Sequence, residues 1–153
     1  MLKLWINGLI LATYTFRGIY AQCNCPRNVT KLHEEYCKAD FVIRVIPLNQ
    51  FPKQGLNNQR YYVKLLEVFK GPKHLMEKVG KRTSVFTKAE LNRCGVYMEL
   101  DMKYLLMGYF NKVDRNLGNK KMVLHACQGT TNLWENLLFK HRQRLRKKFK
   151  LNC

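Results

Sequence analysis

The chain has 153 residues, one domain by length, with room for a modest core. Lys and Arg number 28 against 10 Asp and Glu, a net charge of +18 that points to anionic partners. No run reaches the ~18–20 apolar residues of a membrane-spanning helix, which excludes a helical transmembrane segment.

In chain order the first feature is a leader. Lys3 gives a basic start, Leu4 to Phe16 is mostly apolar, and Arg17 and Gly18 end the run. This is the pattern of a secretory signal peptide. Residues 1–22 are therefore expected to be removed, and residues 23–153 to form a single secreted, extracellular domain. Cleavage after Gln22 leaves Tyr20 and Gln22 at the two positions that usually hold small residues. Cleavage after Ala21 supplies a small residue but leaves Gln22 ahead of Cys23. The leader carries Lys3 and Arg17 and no acid, so the remainder is two units less positive than the whole chain.

Next come Cys23-Asn24-Cys25-Pro26 and the sequon Asn28-Val29-Thr30, an acceptor for an N-linked glycan. Thr30 is placed to cap a helix over 31–39, with Leu32, Tyr36 and Cys37 on one side. Phe41 to Leu48 is rich in β-branched residues and predicts a strand, with Pro47 at its end or on an edge. Asn49 to Gln59 reads as a polar turn segment. Arg60 to Phe69 reads as a second strand, closed by Lys70-Gly71-Pro72, and Thr83 to Thr87 as a short third. Lys88 to Gly95, which holds Cys94, reads as a loop. Tyr97 to Asp101 and Lys103 to Phe110 are further strand candidates, Asn111 to Lys120 a turn, and Lys121 to Cys127 a last strand. Asn132 with Glu135 forms a capping-box pattern. The helix it predicts has the stripe Trp134, Leu137, Leu138, His141 or Leu145, and Phe149. Short strands separated by Gly and Asn turns predict a mainly β chain, a small barrel rather than a parallel sheet.

All six cysteines, Cys23, Cys25, Cys37, Cys94, Cys127 and Cys153, lie beyond the leader. In a secreted chain an even set reads as three disulfides, with the connectivity open. A zinc site would want C-x-x-C pairs or nearby histidines. Here the spacing is C-x-C, and His33, His74, His125 and His141 form no ligand motif. Side chains of alternate strand-like residues do not reach each other's disulfide geometry readily, so Cys23 and Cys25 must each find a distant partner. There is no H-E-x-x-H and no nucleophile elbow, and His33-Glu34-Glu35 reads as an exposed helix face. The chain is not expected to be an enzyme.

The C-x-C start, Cys37 followed by Ala39 to Arg44 (A-D-F-V-I-R), Phe69 to Pro72 (F-K-G-P), Cys94 to Val96 (C-G-V) and Tyr104 to Gly108 (Y-L-L-M-G) accumulate into a pattern. With the spacing to Cys127 and Cys153, the set resembles the N-terminal domain of a tissue inhibitor of metalloproteinases. The resemblance implies an OB-like, netrin-type, five-stranded barrel with flanking α-helices. It implies the disulfides Cys23–Cys94, Cys25–Cys127 and Cys37–Cys153. It also implies inhibition of zinc metalloendopeptidases of matrix metalloproteinase type, with no cofactor of the inhibitor's own. In that mechanism the α-amine and carbonyl oxygen of Cys23 chelate the target's catalytic zinc at the position otherwise open to water. Asn24 enters the adjoining specificity pocket, and Cys25 and Pro26 continue the ridge. Leu91, Asn92, Arg93 and Cys94 lie beside it through the Cys23–Cys94 bridge. Family members often carry a second cysteine-rich domain, and the functions of such a domain are not expected here.

The last stretch is a basic run: Lys140, Arg142, Arg144, Arg146, Lys147, Lys148 and Lys150, with no intervening acid. It predicts a surface for sulfated glycosaminoglycans such as heparan sulfate, or for anionic membranes. Nucleic acid is not expected for a secreted chain, and a monomer is. The alternative function is a non-inhibitory netrin-type module that binds glycans or cell surfaces through this helix.

Overall fold

A computed structural model of the chain describes residues 23, 32–52, 58–88, 94–112, 120–127, 131–147 and 153. Its elements run α1 (Leu32–Lys38), β1 (Phe41–Pro52), β2 (Asn58–Lys70), α2 (Lys73–Met76), β3 (Arg82–Lys88), β4 (Tyr104–Lys112), β5 (Lys120–Val123), β6 (Thr131–Leu133), a 3-10 turn (Trp134–Asn136) and α3 (Phe139–Arg146). Antiparallel pairing joins β1 to β2 and β2 to β3. A short parallel join, Val85 with Met122 and Phe86 with Val123, links β3 to β5. Antiparallel pairing then joins β5 to β4 and β4 back to β1. The sheet therefore closes into the expected five-stranded barrel with flanking helices, and β6 pairs with the start of β4.

The strands alternate because alternate residues face opposite sides of a sheet. Phe41, Ile43 and Val45 of β1, Tyr61, Val63 and Leu65 of β2, Val85 of β3, Tyr104 and Leu106 of β4 and Met122 of β5 pack together inside the barrel. Leu75 of α2 joins them. The intervening residues Val42, Leu105 and Met107 form a second core outside the barrel wall. There they pack with Phe69, with Tyr36 and Ala39 from α1, and with Trp134, Leu137 and Leu145 from the C-terminal segment. Thus β1 and β4 are covered on both faces, which is why their sequences are nearly continuous apolar runs. Gly108 is needed where β4 passes closest to its neighbours. A Cβ there would lie 2.5 Å from the Val123 carbonyl oxygen and 2.6 Å from Phe41 Cζ.

Several boundaries differ from the sequence expectation. β1 runs through Pro47 to Pro52 instead of ending near Leu48, and β2 begins at Asn58. Asn49 to Pro52, expected as turn, pair instead with Tyr62 back to Gln59 of β2, and Asn58 and Gln59 pair with Lys88 and Thr87 of β3. Pro47 is tolerated because β1 pairs with β4 only from Phe41 to Val45. Beyond that point it has an open edge where a missing N–H costs nothing in the ladder.

Tyr97 to Asp101 is not a strand. Side-chain hydroxyls take the Val96 amide just before it and two amides within it: Val96 N–H donates to Thr87 Oγ1 (2.8 Å), Met98 N–H to the Tyr61 hydroxyl (3.2 Å) and Glu99 N–H to the Tyr104 hydroxyl (3.0 Å), while Asp101 N–H donates to the Pro47 carbonyl (2.9 Å). Asp101, with φ of 62°, turns the chain into β4. The expected last strand shortens to Lys120–Val123, and 126–127 is a turn.

The capping box does not start a helix. Asn132 pairs with Leu105 in β6, and Trp134 N–H donates to the Lys103 carbonyl (2.8 Å). Leu137 and Leu138 are then extended, with ψ of 133° and 142°, so α3 begins only at Phe139.

Candidate functional site

Cys23 is bonded to Cys94, with Cα atoms 5.0 Å apart across 71 residues of sequence. The segment that receives it is fixed from several sides. Cys94 has φ of 62°, a left-handed conformation uncommon for a residue with a side chain. Its carbonyl accepts the Ala126 N–H (3.0 Å). Two residues on, Thr87 holds the Val96 amide. Leu124 N–H donates to the Phe86 carbonyl (2.8 Å), so the chain after β5 follows β3 toward the same place.

That path brings Cys127 to the bridge, its Sγ 3.0 Å from Cys23 Sγ and 3.8 Å from Cys94 Sγ. His125 Nδ1 accepts the Cys127 N–H (3.2 Å) and tightens the turn. The result is a half-buried sulfur cluster at the end of the β3–β5 join, with Cys23 held against it. The three sulfurs lie within ligand distance of a metal ion. All three cysteines are oxidised, whereas zinc binds thiolates, so the cluster serves as a crosslink.

A second disulfide joins Cys37 of α1 to Cys153, with Cα atoms 5.2 Å apart across 116 residues. His33 Nε2 lies 3.7 Å from Cys37 Sγ, one helical turn away. None of the described cysteines is free. Cys25, expected opposite Cys127, lies outside the described residues. So do Asn24, Pro26, Leu91, Asn92, Arg93 and the sequon residue Asn28, along with the leader.

The basic run divides in two. Arg142 turns back on the chain: Nε donates to the Leu137 carbonyl (2.9 Å) and Nη2 to the Glu135 carbonyl (3.2 Å), with the Glu135 carboxylate 3.7 Å from Nη1. Arg146 lies 3.6 Å from Glu67, whose other oxygen is 3.2 Å from Arg44. The Arg44–Glu67 contact is an ion pair without hydrogen-bond geometry. These guanidinium groups surround Trp134: Arg44, Arg142 and Arg146 lie 4.9, 5.9 and 5.8 Å from its ring, and Phe69 stacks on it at 5.9 Å. Lys140, Arg144 and Lys147 remain exposed. Lys148 and Lys150 lie outside the described residues.

The sequence reading missed Thr87, Ala126 and His125 as supports of the Cys23–Cys94 bridge. Nor does it expect Arg142 and Arg146, two cations of the basic run, to contact Trp134, Arg146 while remaining exposed. Thr87 carried a faint signal, as a polar residue ending a strand seven positions before Cys94; the Arg–Trp cluster carried none.

The sequence profile described as tissue inhibitor of metalloproteinase matches residues 21–153. Metalloproteinase inhibitor 4 of Mus musculus is 28% identical over 140 residues, covering 86% of this chain and 57% of that protein. Its Rattus norvegicus counterpart gives the same figures. A Caenorhabditis elegans protein, tag-225, also named for metalloproteinase inhibition, is 34% identical over 95 residues, 56% of this chain and 57% of its own length. The chain thus spans a little over half the length of these relatives.

Proposed function

This chain belongs to the tissue inhibitor of metalloproteinase family, and from that premise we propose that it is a secreted inhibitor of zinc metalloendopeptidases that acts through Cys23. The family consists of inhibitors, and no catalytic role is proposed. The observation that carries the reading is the clamped Cys23–Cys94 bridge. A chelating group is useful only if it is held still before the target arrives, because ordering it on binding costs affinity. Cys94 is held by the Ala126 amide and, through Val96, by Thr87, and the disulfide passes that rigidity to Cys23.

With residues 1–22 removed, Cys23 carries a free α-amine beside its own carbonyl oxygen. The pair offers the target's zinc a compact chelate in place of water. An α-amine titrates near ~8, so its neutral form is available close to physiological pH and lysine's is not. Asn24 enters the pocket beside the zinc, with Cys25, Pro26, Leu91, Asn92 and Arg93 forming the adjoining contact surface. The inhibitory domain is residues 23–153, working as a monomer on matrix metalloproteinase-like targets, with a glycan at Asn28. The zinc is the target's, and the inhibitor needs no metal of its own. Among the described residues no helix is long and apolar enough to cross a membrane.

The non-inhibitory alternative, a module that binds glycans through its basic helix, is the weaker reading, because Arg142 and Arg146 are engaged within the domain. Intact mass and N-terminal sequencing of the secreted protein, paired with inhibition assays, test the mechanism. The expected mature form starts at Cys23 and inhibits; a form with one added N-terminal Ala is expected to lose at least about a hundredfold in affinity, roughly 3 kcal/mol. Equal inhibition by the two forms, or a mature chain that starts at Gln22 and still inhibits, sinks the chelate.

A further inference from the structure

The outward side of α3 combines two features that the ridge does not use. The first is an apolar tip: Leu138 keeps 56% of its surface in solvent, and Phe139, at 71%, is the most exposed of the large hydrophobic residues described. The second is a line of cations. Lys140, Arg144 and Lys147 are all exposed and follow the i, i+4, i+7 spacing of one helix face. Phe139, Gln143 and Lys147 run along the adjoining line of the same side. Leu145, on the opposite side, is fully buried in the second core and fixes which way the helix faces. Arg142 turns back onto the Leu137 and Glu135 carbonyls, and Arg146, although exposed, sits 3.6 Å from Glu67, which sets both apart from the line of Lys140, Arg144 and Lys147. No acidic residue follows Glu135 in the sequence.

We propose that this face, with Leu138 and Phe139 leading and Lys140, Arg144 and Lys147 alongside, docks on the surface of an anionic lipid bilayer. A sulfated glycan would use the cations but gain little from two exposed apolar side chains. A bilayer uses both, since the apolar tip enters the boundary between headgroups and acyl chains while the cations meet headgroup phosphates and carboxylates. The long lysine and arginine stems let their charges stay at headgroup level while the tip sits deeper. The strongly positive net charge, which persists once Lys3 and Arg17 are removed with the leader, draws the protein to such a surface over the Debye length. None of the bridge residues takes part, so the proposal is independent of the inhibitory reading.

The test is co-sedimentation of the full, disulfide-bonded protein with vesicles of phosphatidylcholine alone and of phosphatidylcholine with phosphatidylserine. Binding is expected to the phosphatidylserine vesicles and to weaken with salt. Lys140→Gln/Arg144→Gln/Lys147→Gln is expected to weaken it about a hundredfold. Leu138→Ser/Phe139→Ser is expected to weaken it about tenfold or more. In Phe139→Trp the emission is expected to shift to the blue on these vesicles. Unchanged thermal unfolding by circular dichroism confirms that the variants fold. Vesicle binding unaffected by the serine pair overturns the proposal. So does absence of vesicle binding, whether or not heparin retains the protein at physiological salt; retention would assign the face to glycans. Inhibition of a soluble metalloprotease reports separately on the ridge.

Discussion

A single buried hydroxyl decides where the peptide after Cys94 runs. Thr87 accepts the Val96 amide in a place closed to water, and a buried amide without an acceptor costs about 1–3 kcal/mol. Thr87→Val keeps the shape and removes the acceptor. It is expected to lower unfolding free energy by that amount in guanidinium titrations, and Thr87→Ser to recover most of it. Because the same bond steadies Cys94, inhibition is expected to weaken in the valine variant without any change at the N-terminus. Gly108 makes a steric demand in its place. The nearest obstacle to a Cβ is the Val123 backbone oxygen, which cannot rotate away as a side chain does. Gly108→Ala is expected to cost about 1–3 kcal/mol, read as a lowered denaturation midpoint. Neither residue stands out by type alone, since the demand on Thr87 comes from an amide in the loop after Cys94 and that on Gly108 from the neighbouring strands β5 and β1.

At the scale of elements, α3 shows what periodicity can and cannot reveal. Of the expected stripe, Trp134, Leu137 and Leu145 are buried, but Leu138 is exposed because the chain is extended there, and Phe149 lies outside the described residues. The helix start was not legible. The capping-box residues are local, whereas the exposed ladder of β4 that captures Asn132 is some 27 positions earlier in the register, at Leu105. The same competition explains Tyr97 to Asp101, where strand-like composition lost to the hydroxyls of Tyr61, Thr87 and Tyr104. α3 lacks a side-chain cap and depends on the ring beneath it. Trp134→Ala removes the surface on which Phe69 and three guanidinium groups rest. It is expected to cost about 3–5 kcal/mol and to bring amide exchange in α3 close to that of an unprotected segment.

For the molecule as a whole, barrel and helices were readable because β-branched and aromatic runs at short spacing leave few other ways to bury them. The closure was not readable: composition does not reveal that β3 and β5 run parallel, or that β1 pairs with β4. Burial raises the pKa of Tyr36, Tyr61 and Tyr109 above the ordinary value of 10.0; at Tyr109 the charges of Asp40 and Glu35 add to the rise. A raised folded-state pKa gives stability that is complete below the unfolded value and is lost as pH climbs through the folded one. The urea midpoint is therefore expected to hold up to about pH 10 and fall above it, less steeply in Tyr109→Phe. The parallel join also carries a dynamic consequence. Among the described residues two pairs and one further hydrogen bond stitch β3 to β5 there. Long antiparallel ladders flank β2 on both sides, so this seam is where the cylinder breathes first as temperature rises. Ala126, whose amide grips Cys94, lies just past the seam. The stillness of the Cys23–Cys94 bridge is thus governed by the weakest stave of the barrel, and its loss should precede global melting.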